Sequence, residues 1–466
     1  MSNVPSCTTT LSAAAALCTS RPALLVDGDP LALLTSAAHL DLDLLERFDT
    51  DVHTWQTDSG SRVCFVPSTS VPMIDVVVRF PAGFAYDGDR SGLAAMTLHM
   101  LDKGTGHDDA AAFAKAMEGS GALLNKTLDA DHATLTLRTL SDTTFSETAF
   151  GLFESMLARP AFTPDLLDTV KNQFRAYQHG RRQLASHRVR AAVSGHLFAG
   201  HPYAHYYGGT AEGLSSLAAE DLRVFHRRAY SARNLQVSIV GDLSQEQAQA
   251  IAQRLSLGLD PHWASTELPA AGASEQEIIH LEQAGAATQI AIACPIDTLP
   301  GSEADLALQL GNQILGHGLE SRLMRELRVR RGLTYSIRSV PEQMRAAGFL
   351  GIYWDIAPQY TDASQTLVDE MMDRFIEEGP SEAEIEIARQ QIAGRWLRQV
   401  AENGRLVALL AYVNQQGLGG TYITAYLERL AAVGTRHVRE AFARHVHRAR
   451  QVTASAGPDV PQLPLP

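Results

Sequence analysis

The sequence predicts an α+β fold of two homologous halves, each a mixed or antiparallel β-sheet layered with α-helices. Strand and helix patterns follow one order (strand, two helices, two strands, helices) on both sides of residues 255–275. The chain of 466 residues has room for two units of roughly 200 residues and a linker. Residue identity between the halves is not evident, so the predicted duplication rests on the order of elements.

The first half contains a strand whose residues alternate between two faces. Within Met73–Phe80, Ile74 and Val76 fall on one face, which is the period-two pattern of a buried strand. Thr163 and Pro164 suit the N-cap and the first position of a long helix. The other predicted elements are strands at 132–140 and 234–241 and helices at about 92–104, 109–120, 144–158, 164–197 and 219–228.

Residues 255–275 combine Pro and Gly with little periodicity and are predicted to form an exposed linker. After them, Ser381 and Glu384 form a capping box that predicts a helix through about residue 399. Further elements of the second half are predicted as strands at 288–294, 335–341 and 347–357 and helices at 302–315, 319–331 and 362–378. The predicted division is an extension at 1–42 (disordered or a targeting segment), a domain at 43–254, the linker, and a domain at 276–466.

Composition and charge exclude several classes of function. The chain has 39 Lys and Arg against 52 Asp and Glu, a net charge of −13, whereas nucleic-acid binding depends on neutralising phosphates. No uncharged run is apolar enough for a transmembrane helix, since the longest, 406–427, contains Asn, Gln and Gly. Four scattered cysteines are too few for a disulfide scaffold or a thiolate zinc site. A large soluble enzyme or enzyme-like subunit remains.

His99 is the chemically notable residue of the helix predicted at 92–104. It stands among apolar residues, including Met96 and Met100, and a lone histidine in such a setting is usually structural. Hydrolysis by zinc requires about three converging ligands and a carboxylate base beside the bound water. From these residues alone, a structural role for His99 is favoured.

The segment GLAAMTLHMLDKGT nevertheless resembles the zinc helix of the pitrilysin/insulinase-like metallopeptidases, the inverzincins. Their helix carries H-x-x-E-H, and the matching positions here are Ala95, Leu98 and His99. The family's third ligand is a glutamate some 70–80 residues further on, but this chain has no glutamate between Glu154 and Glu212. The resemblance therefore implies a degenerate site, and no metal is expected to bind to this chain.

Resemblance to this family covers roughly residues 44–457. The motifs are weak singly and specific in their order. They are His201-Pro202-Tyr203, Gly209-Thr210, Asp221-Leu222, Phe225-His226, Tyr230, Asn234 and Val240-Gly241-Asp242.

Residues 313–336 hold the most informative pattern of the second half. Arg328 lies in the last turn of a predicted helix that Gly332 ends, and Tyr335 follows at the start of a strand. One interpretation is that the turn brings a guanidinium and a phenol together as hydrogen-bond donors. The other is a solvated basic face at a helix C-terminus. The apolar stripe of this helix is predicted to be Leu319, Leu323, Met324 and Leu327.

The same stretch is similar to the family signature S-R-L-x-x-E-L-R-x-x-x-G-L-x-Y. The resemblance implies that Arg328 and Tyr335 donate hydrogen bonds to the substrate carbonyl and to the oxyanion formed when zinc-bound water attacks. Gly316 and Gly318 match a glycine-rich loop that faces the substrate cavity. We refer to Arg328 and Tyr335 as the Arg/Tyr pair.

Loss of the zinc residues beside an intact Arg/Tyr pair resembles the non-zinc subunit of the family's two-subunit branch. The resemblance implies half of a metallopeptidase clamshell. This chain would be a catalytically incomplete subunit that binds no cofactor, and its partner would be a homologous subunit that holds zinc and cleaves a peptide. A structural or peptide-binding scaffold derived from the same fold is the alternative, and a stand-alone hydrolase is a third. Periplasm and cytoplasm both stay open as compartments, and the frequent export of such relatives favours the periplasm.

Overall fold

The computed structural model describes residues 51–205 and 208–466. Residues Arg47–Pro466 form one compact unit. The predicted extension at 1–42 lies outside the described residues. Among the described residues, no helix is both long and apolar enough to cross a membrane.

A six-stranded sheet forms the framework of the first half, in the order β1-β2-β6-β3-β5-β4. β2 runs parallel to β6, and the remaining neighbours are antiparallel. The strands are β1 (His53–Gln56), β2 (Arg62–Pro67), β3 (Met73–Phe80), β4 (Leu123–Leu128), β5 (Ala133–Leu140) and β6 (Gln236–Gly241). The helices are α1 (Leu93–Met100), α2 (Ala110–Gly119), α3 (Thr143–Ala158), α4 (Pro164–Arg182), α5 (Ala185–Leu197), α6 (Ala211–Ser216), α7 (Ala219–Ala229) and α8 (Gln245–Leu257).

A five-stranded sheet forms the framework of the second half, in the order β7-β11-β8-β10-β9. β7 runs parallel to β11, and the remaining neighbours are antiparallel. The strands are β7 (Glu277–Glu282), β8 (Thr288–Ile296), β9 (Ile337–Gln343), β10 (Gly348–Ile356) and β11 (Val452–Gly457). The helices are α9 (Glu303–Leu315), α10 (Arg322–Met324), α11 (Thr361–Glu378), α12 (Glu382–Val400), α13 (Asn403–Gln416), α14 (Thr421–Ala431) and α15 (Thr435–His445).

The two sheets have the same topology once β1 is set aside. The order β2-β6-β3-β5-β4 corresponds strand by strand to β7-β11-β8-β10-β9. In each sheet the parallel pair joins the first of these five strands in the chain to the last. This correspondence confirms the predicted α+β fold of two related halves, each a mixed sheet layered with helices. It also matches α1 with α9, β4 with β9 and α4 with α12.

Each half also contributes a helix that packs on the sheet of the other half. α5 packs on β8 and β11, where Val193 and Leu197 belong to one buried cluster with Ala454. In return, α13 packs on β6 and β3, and Asn414 donates a hydrogen bond from Nδ2 to the carbonyl of Val237 at 3.2 Å. Because each sheet is covered partly by the other half, the halves stabilise each other.

Two helix predictions differ from the structure. The helix predicted at 164–197 is two helices, because the backbone turns after α4 and Leu184 is extended (φ −77°, ψ 124°) before α5 begins. The helix predicted at 319–331 starts later, with α10, and continues as a wider π-helical turn over Arg325–Arg330. Leu319 is therefore outside the predicted apolar stripe and is 64% exposed, whereas Leu323, Met324 and Leu327 are buried.

Candidate functional site

Helix α1 carries the positions that match H-x-x-E-H. Its N-terminus is held by the Asp87 carboxylate, which accepts hydrogen bonds from the backbone N–H groups of Gly92 (2.6 Å) and Ala94 (2.7 Å). Ala95 is fully buried and Leu98 is 2% exposed. Both lie in the apolar core of the first half. These side chains offer no ligand atom, so α1 fills the core at two positions where a zinc helix presents a ligand and a base.

His99 is the one residue of that motif that is retained, and its surroundings keep it neutral. Its ring centroid lies 5.1 Å from that of Phe174 on α4, which lies at the distance along the chain where the resemblance places the family's third ligand. Burial, and next the positive charge of Lys126, lower the pKa of His99 to about 4. An aromatic ring thus packs against the histidine from the helix where the family has a glutamate.

Lys126 of the edge strand β4 also contacts the region around His99. Its ammonium group lies 2.8 Å from a carboxylate oxygen of Asp102 and donates a hydrogen bond to the backbone carbonyl of His99 at 3.3 Å. Burial lowers the pKa of Lys126, while Asp102 opposes that shift. No local spacing in the sequence indicates the contact of Lys126 with α1.

The signature of the second half divides into paired and unpaired side chains. Arg322 forms a bidentate ion pair with Glu384 of α12, with both N–O distances 2.8 Å. Glu326 accepts hydrogen bonds from Arg330 (2.7 Å) and Arg331 (2.8 Å). These contacts attach the π-helical turn to α12 and occupy its local carboxylate.

The structure brings Arg328 and Tyr335 together. Gly332 adopts a left-handed conformation (φ 63°), and the N–H of Leu333 donates to the carbonyl of Leu327 at 2.8 Å. This turn places the Arg328 guanidinium carbon 4.6 Å from the centroid of the Tyr335 ring, within range of a cation–π interaction. Tyr335 is 79% exposed, and Arg328 forms no ion pair with any carboxylate in the described part of the chain. Both groups are therefore available as donors at the surface.

Gly316 and Gly318 lie in the turn that follows α9. Gly316 is buried, and a Cβ there would overlap the side chain of Ser339 on β9, whose N–H donates to the Gly316 carbonyl at 3.0 Å. Gly318 is exposed and has φ 102°. Close packing thus explains why residue 316 is a glycine. The positive φ explains why residue 318 is a glycine. Their contact with substrate stays a prediction.

One group of possible metal ligands occurs among the described residues, and it lies elsewhere. Asp129, Asp131 and His132, in the turn between β4 and β5, have ligand atoms within 4.8 Å of one another. Asp131 already accepts hydrogen bonds from Tyr203 (2.5 Å) and from the backbone N–H of Arg345 (2.9 Å). The bond from Arg345 joins the first half to the β9–β10 turn, so Asp131 has a structural role.

Comparison with known proteins agrees with this arrangement. Residues 62–206 match the insulinase family (peptidase family M16), and residues 216–392 match the peptidase M16 inactive domain. The chain is 25% identical over 330 residues to the non-peptidase homolog YmxG of Helicobacter pylori. The aligned region covers 70% of this chain and 75% of that protein.

Solved structures extend the similarity. A peptidase M16 inactive domain from Pseudomonas fluorescens is 32% identical with a TM-score of 0.86, covering 89% of this chain and all of that one. A protease from Helicobacter pylori has the same fold, with a TM-score of 0.80 at 16% identity over 88% of this chain and all of that one.

The fold and the two family matches define an insulinase-like protein. The chain belongs to the peptidase M16 family, as its sequence predicted. The match to the inactive domain of that family supports a catalytically incomplete member, and Ala95 and Leu98 stand where the resemblance places a ligand and the general base.

Proposed function

We propose that this chain is the zinc-free subunit of a heterodimeric zinc metallopeptidase. Its partner would be a homologous chain with an intact H-x-x-E-H, and the substrate would be a peptide bound between the two. The Arg/Tyr pair carries the proposal: the Arg328 guanidinium and the Tyr335 ring lie 4.6 Å apart at the surface, while α1 has neither the first ligand nor the base.

The pair has the chemistry that the partner's reaction requires. When zinc-bound water attacks a peptide carbonyl, negative charge develops on the carbonyl oxygen, and preorganised donors stabilise that charge. Arg328 supplies N–H donors with a permanent charge, and the phenol of Tyr335 supplies an O–H donor. Since Glu326 is already paired with Arg330 and Arg331, it does not compete for the Arg328 guanidinium.

The deciding experiment mixes this chain with a zinc-bearing homologue encoded by the same organism and measures peptide cleavage. We expect negligible cleavage by this chain alone and chelator-sensitive cleavage by the mixture. Arg328→Ala and Tyr335→Phe should each lower the rate of the mixture by about 10²–10³-fold. Arg330→Ala is the matched control, because Arg330 lies in the same turn, is exposed and is paired with Glu326.

A non-enzymatic scaffold is the second candidate, and the similarity to a protein named non-peptidase homolog favours it. A scaffold predicts that the mixture is no more active than the zinc-bearing chain alone and that neither substitution changes any rate. Stoichiometric zinc in this chain, or chelator-sensitive cleavage by this chain alone, would contradict both proposals.

A further inference from the structure

A cavity of about 370 Å³ lies in the second half, between α9, β9, α12, α13 and α14. It occupies the place that corresponds by topology to the His99 region of the first half, because α9, β9 and α12 match α1, β4 and α4. Its walls combine aromatic rings with polar groups, including Trp396, Tyr412, Tyr422 and Tyr426 beside Arg395 and His317.

The cavity contains a cation without a neutralising carboxylate. Arg395 donates from Nη2 to Oε1 of Gln313 at 2.9 Å, and it forms no ion pair with a described residue. The Gln313 amide is fixed in this orientation, because its Nε2 donates to the carbonyl of His317 (2.9 Å) and to Gln391 (2.6 Å). No Asp or Glu lines the cavity.

Positive charge extends across the mouth of the cavity. Burial, and then the charges of Arg395 and Arg338, lower the pKa of His317. Burial also lowers the pKa of Arg395, and the nearby Arg398 lowers it further. An anion bound beside Arg395 would relieve both effects.

The aromatic residues define the rest of the ligand. The Trp396 and Tyr426 rings are stacked with centroids 3.8 Å apart and an interplanar angle of 12°, and Tyr422 meets Tyr426 edge-on at 5.9 Å. Burial raises the pKa of Tyr422 to about 12, so its hydroxyl stays a donor at neutral pH. Such a pocket, in which aromatic rings stand beside a few convergent polar groups, is typical of sites for small molecules.

We propose that this cavity binds a small organic carboxylate with an aromatic or apolar body. The carboxylate would accept hydrogen bonds from the Arg395 guanidinium, and the body would contact the tyrosine rings. The same chemistry describes a free aromatic acid and the C-terminal carboxylate of a short peptide. This site is separate from the Arg/Tyr pair, so its test is independent of the proposed peptidase role.

The test is isothermal titration calorimetry of the full chain with two matched pairs of probes. The first pair is phenylacetate and phenylacetamide, and the second is a tripeptide ending in phenylalanine and its C-terminal amide. We expect the acid of at least one pair to bind about 10-fold or more tightly than its amide, because hydrogen bonds to charged groups are the stronger ones. Tighter binding of phenylacetate would show that the site takes a free aromatic acid. Tighter binding of the tripeptide would show that the site takes the C-terminal carboxylate of a peptide.

Two substitutions complete the test. Arg395→Gln should weaken binding of the acid by about 10-fold or more. Arg398→Gln is the control, because Arg398 is exposed on the same helix and should change affinity less than about 2-fold. Circular dichroism confirms that each variant is folded. No binding of either acid, equal binding of acids and amides, or full affinity in Arg395→Gln would overturn the proposal.

Discussion

The two halves share one sheet topology but differ at corresponding places around their first helices. In the first half, Phe174 and Lys126 both contact His99 of α1 and cover it. In the second half, the region around α9 contains an open cavity lined by aromatic and polar residues, and the adjoining turn exposes Tyr335. The comparison teaches that two copies of one topology can differ in packing, one filled by core residues and the other with polar groups accessible.

The first prediction tests whether the core around Ala95 and Leu98 still has room for a zinc ligand and a base. Restoring the motif with Ala95→His and Leu98→Glu should lower the free energy of unfolding by about 4–8 kcal/mol. Two bulkier side chains would enter a filled core, and one of them would bury an unpaired charge. Urea denaturation measures the loss, and elemental analysis measures zinc.

The conservative control is Leu98→Met, which keeps volume and polarity and should cost less than about 1.5 kcal/mol. A double variant that keeps the stability of the wild type would show that the contacts of Phe174 and Lys126 do not exclude the two introduced side chains.

The second prediction concerns the exchange of helices between the halves. Leu197 of α5 is 3% exposed in the cluster that covers the second sheet, so Leu197→Ala should destabilise the chain by about 2–5 kcal/mol. Because each sheet needs a helix of the other half, unfolding should stay a single transition. Single-tryptophan variants that keep Trp55 or Trp354, which lie in different halves, would report on each half by fluorescence.

Two separate transitions, with Leu197→Ala moving only the transition reported by Trp55, would mean that the halves are independent domains. Leu257→Ala is the matched control, since Leu257 is also a leucine at the end of a helix but is 66% exposed. It should change the free energy of unfolding by less than about 0.5 kcal/mol.

Local patterns predicted much of the fold. The alternation around Ile74 placed β3 at its observed bounds, and the capping box of Ser381 and Glu384 is present at the start of α12. The break between α4 and α5 was missed, because neither Pro nor Gly marks Gln183 and Leu184.

At the site, contacts between segments distant in the sequence could not be predicted. The proximity of Arg328 and Tyr335 was one of two interpretations of a short stretch, and the structure bears out their proximity. The contact of Lys126 with His99 and the cavity beside Arg395 depend on how helices and strands pack in three dimensions. Neither leaves a local spacing in the sequence.

The third prediction concerns the ion pair between Arg322 and Glu384, which has a structural role in the second-half signature. Arg322, and then burial and the backbone of Ser381 to smaller extents, set the pKa of Glu384, which falls from 4.5 to about 2. A carboxyl whose pKa is lower in the folded state stabilises the fold above its unfolded pKa and loses that contribution as pH falls from about 4.5 to about 2. Wild type should therefore lose about 1.5–3 kcal/mol more than Glu384→Gln across this window.

Urea denaturation at about pH 5 and about pH 2.5 measures this difference, and Glu386→Gln serves as the control on the same helix, because Glu386 is exposed. Equal pH dependence of wild type and Glu384→Gln would show that the Arg322–Glu384 pair does not hold the turn in solution.

The smallest expected effect completes the comparison of the halves. Tyr335→Phe should change the free energy of unfolding by less than about 0.5 kcal/mol, because Tyr335 is 79% exposed and phenylalanine keeps the ring that faces Arg328. Thermal denaturation of the isolated chain measures it, with Tyr203→Phe as a contrasting variant that removes a buried hydrogen bond to Asp131. A loss above about 1 kcal/mol in Tyr335→Phe would make the phenol a structural group, whereas an unchanged stability leaves its hydroxyl free to serve a partner.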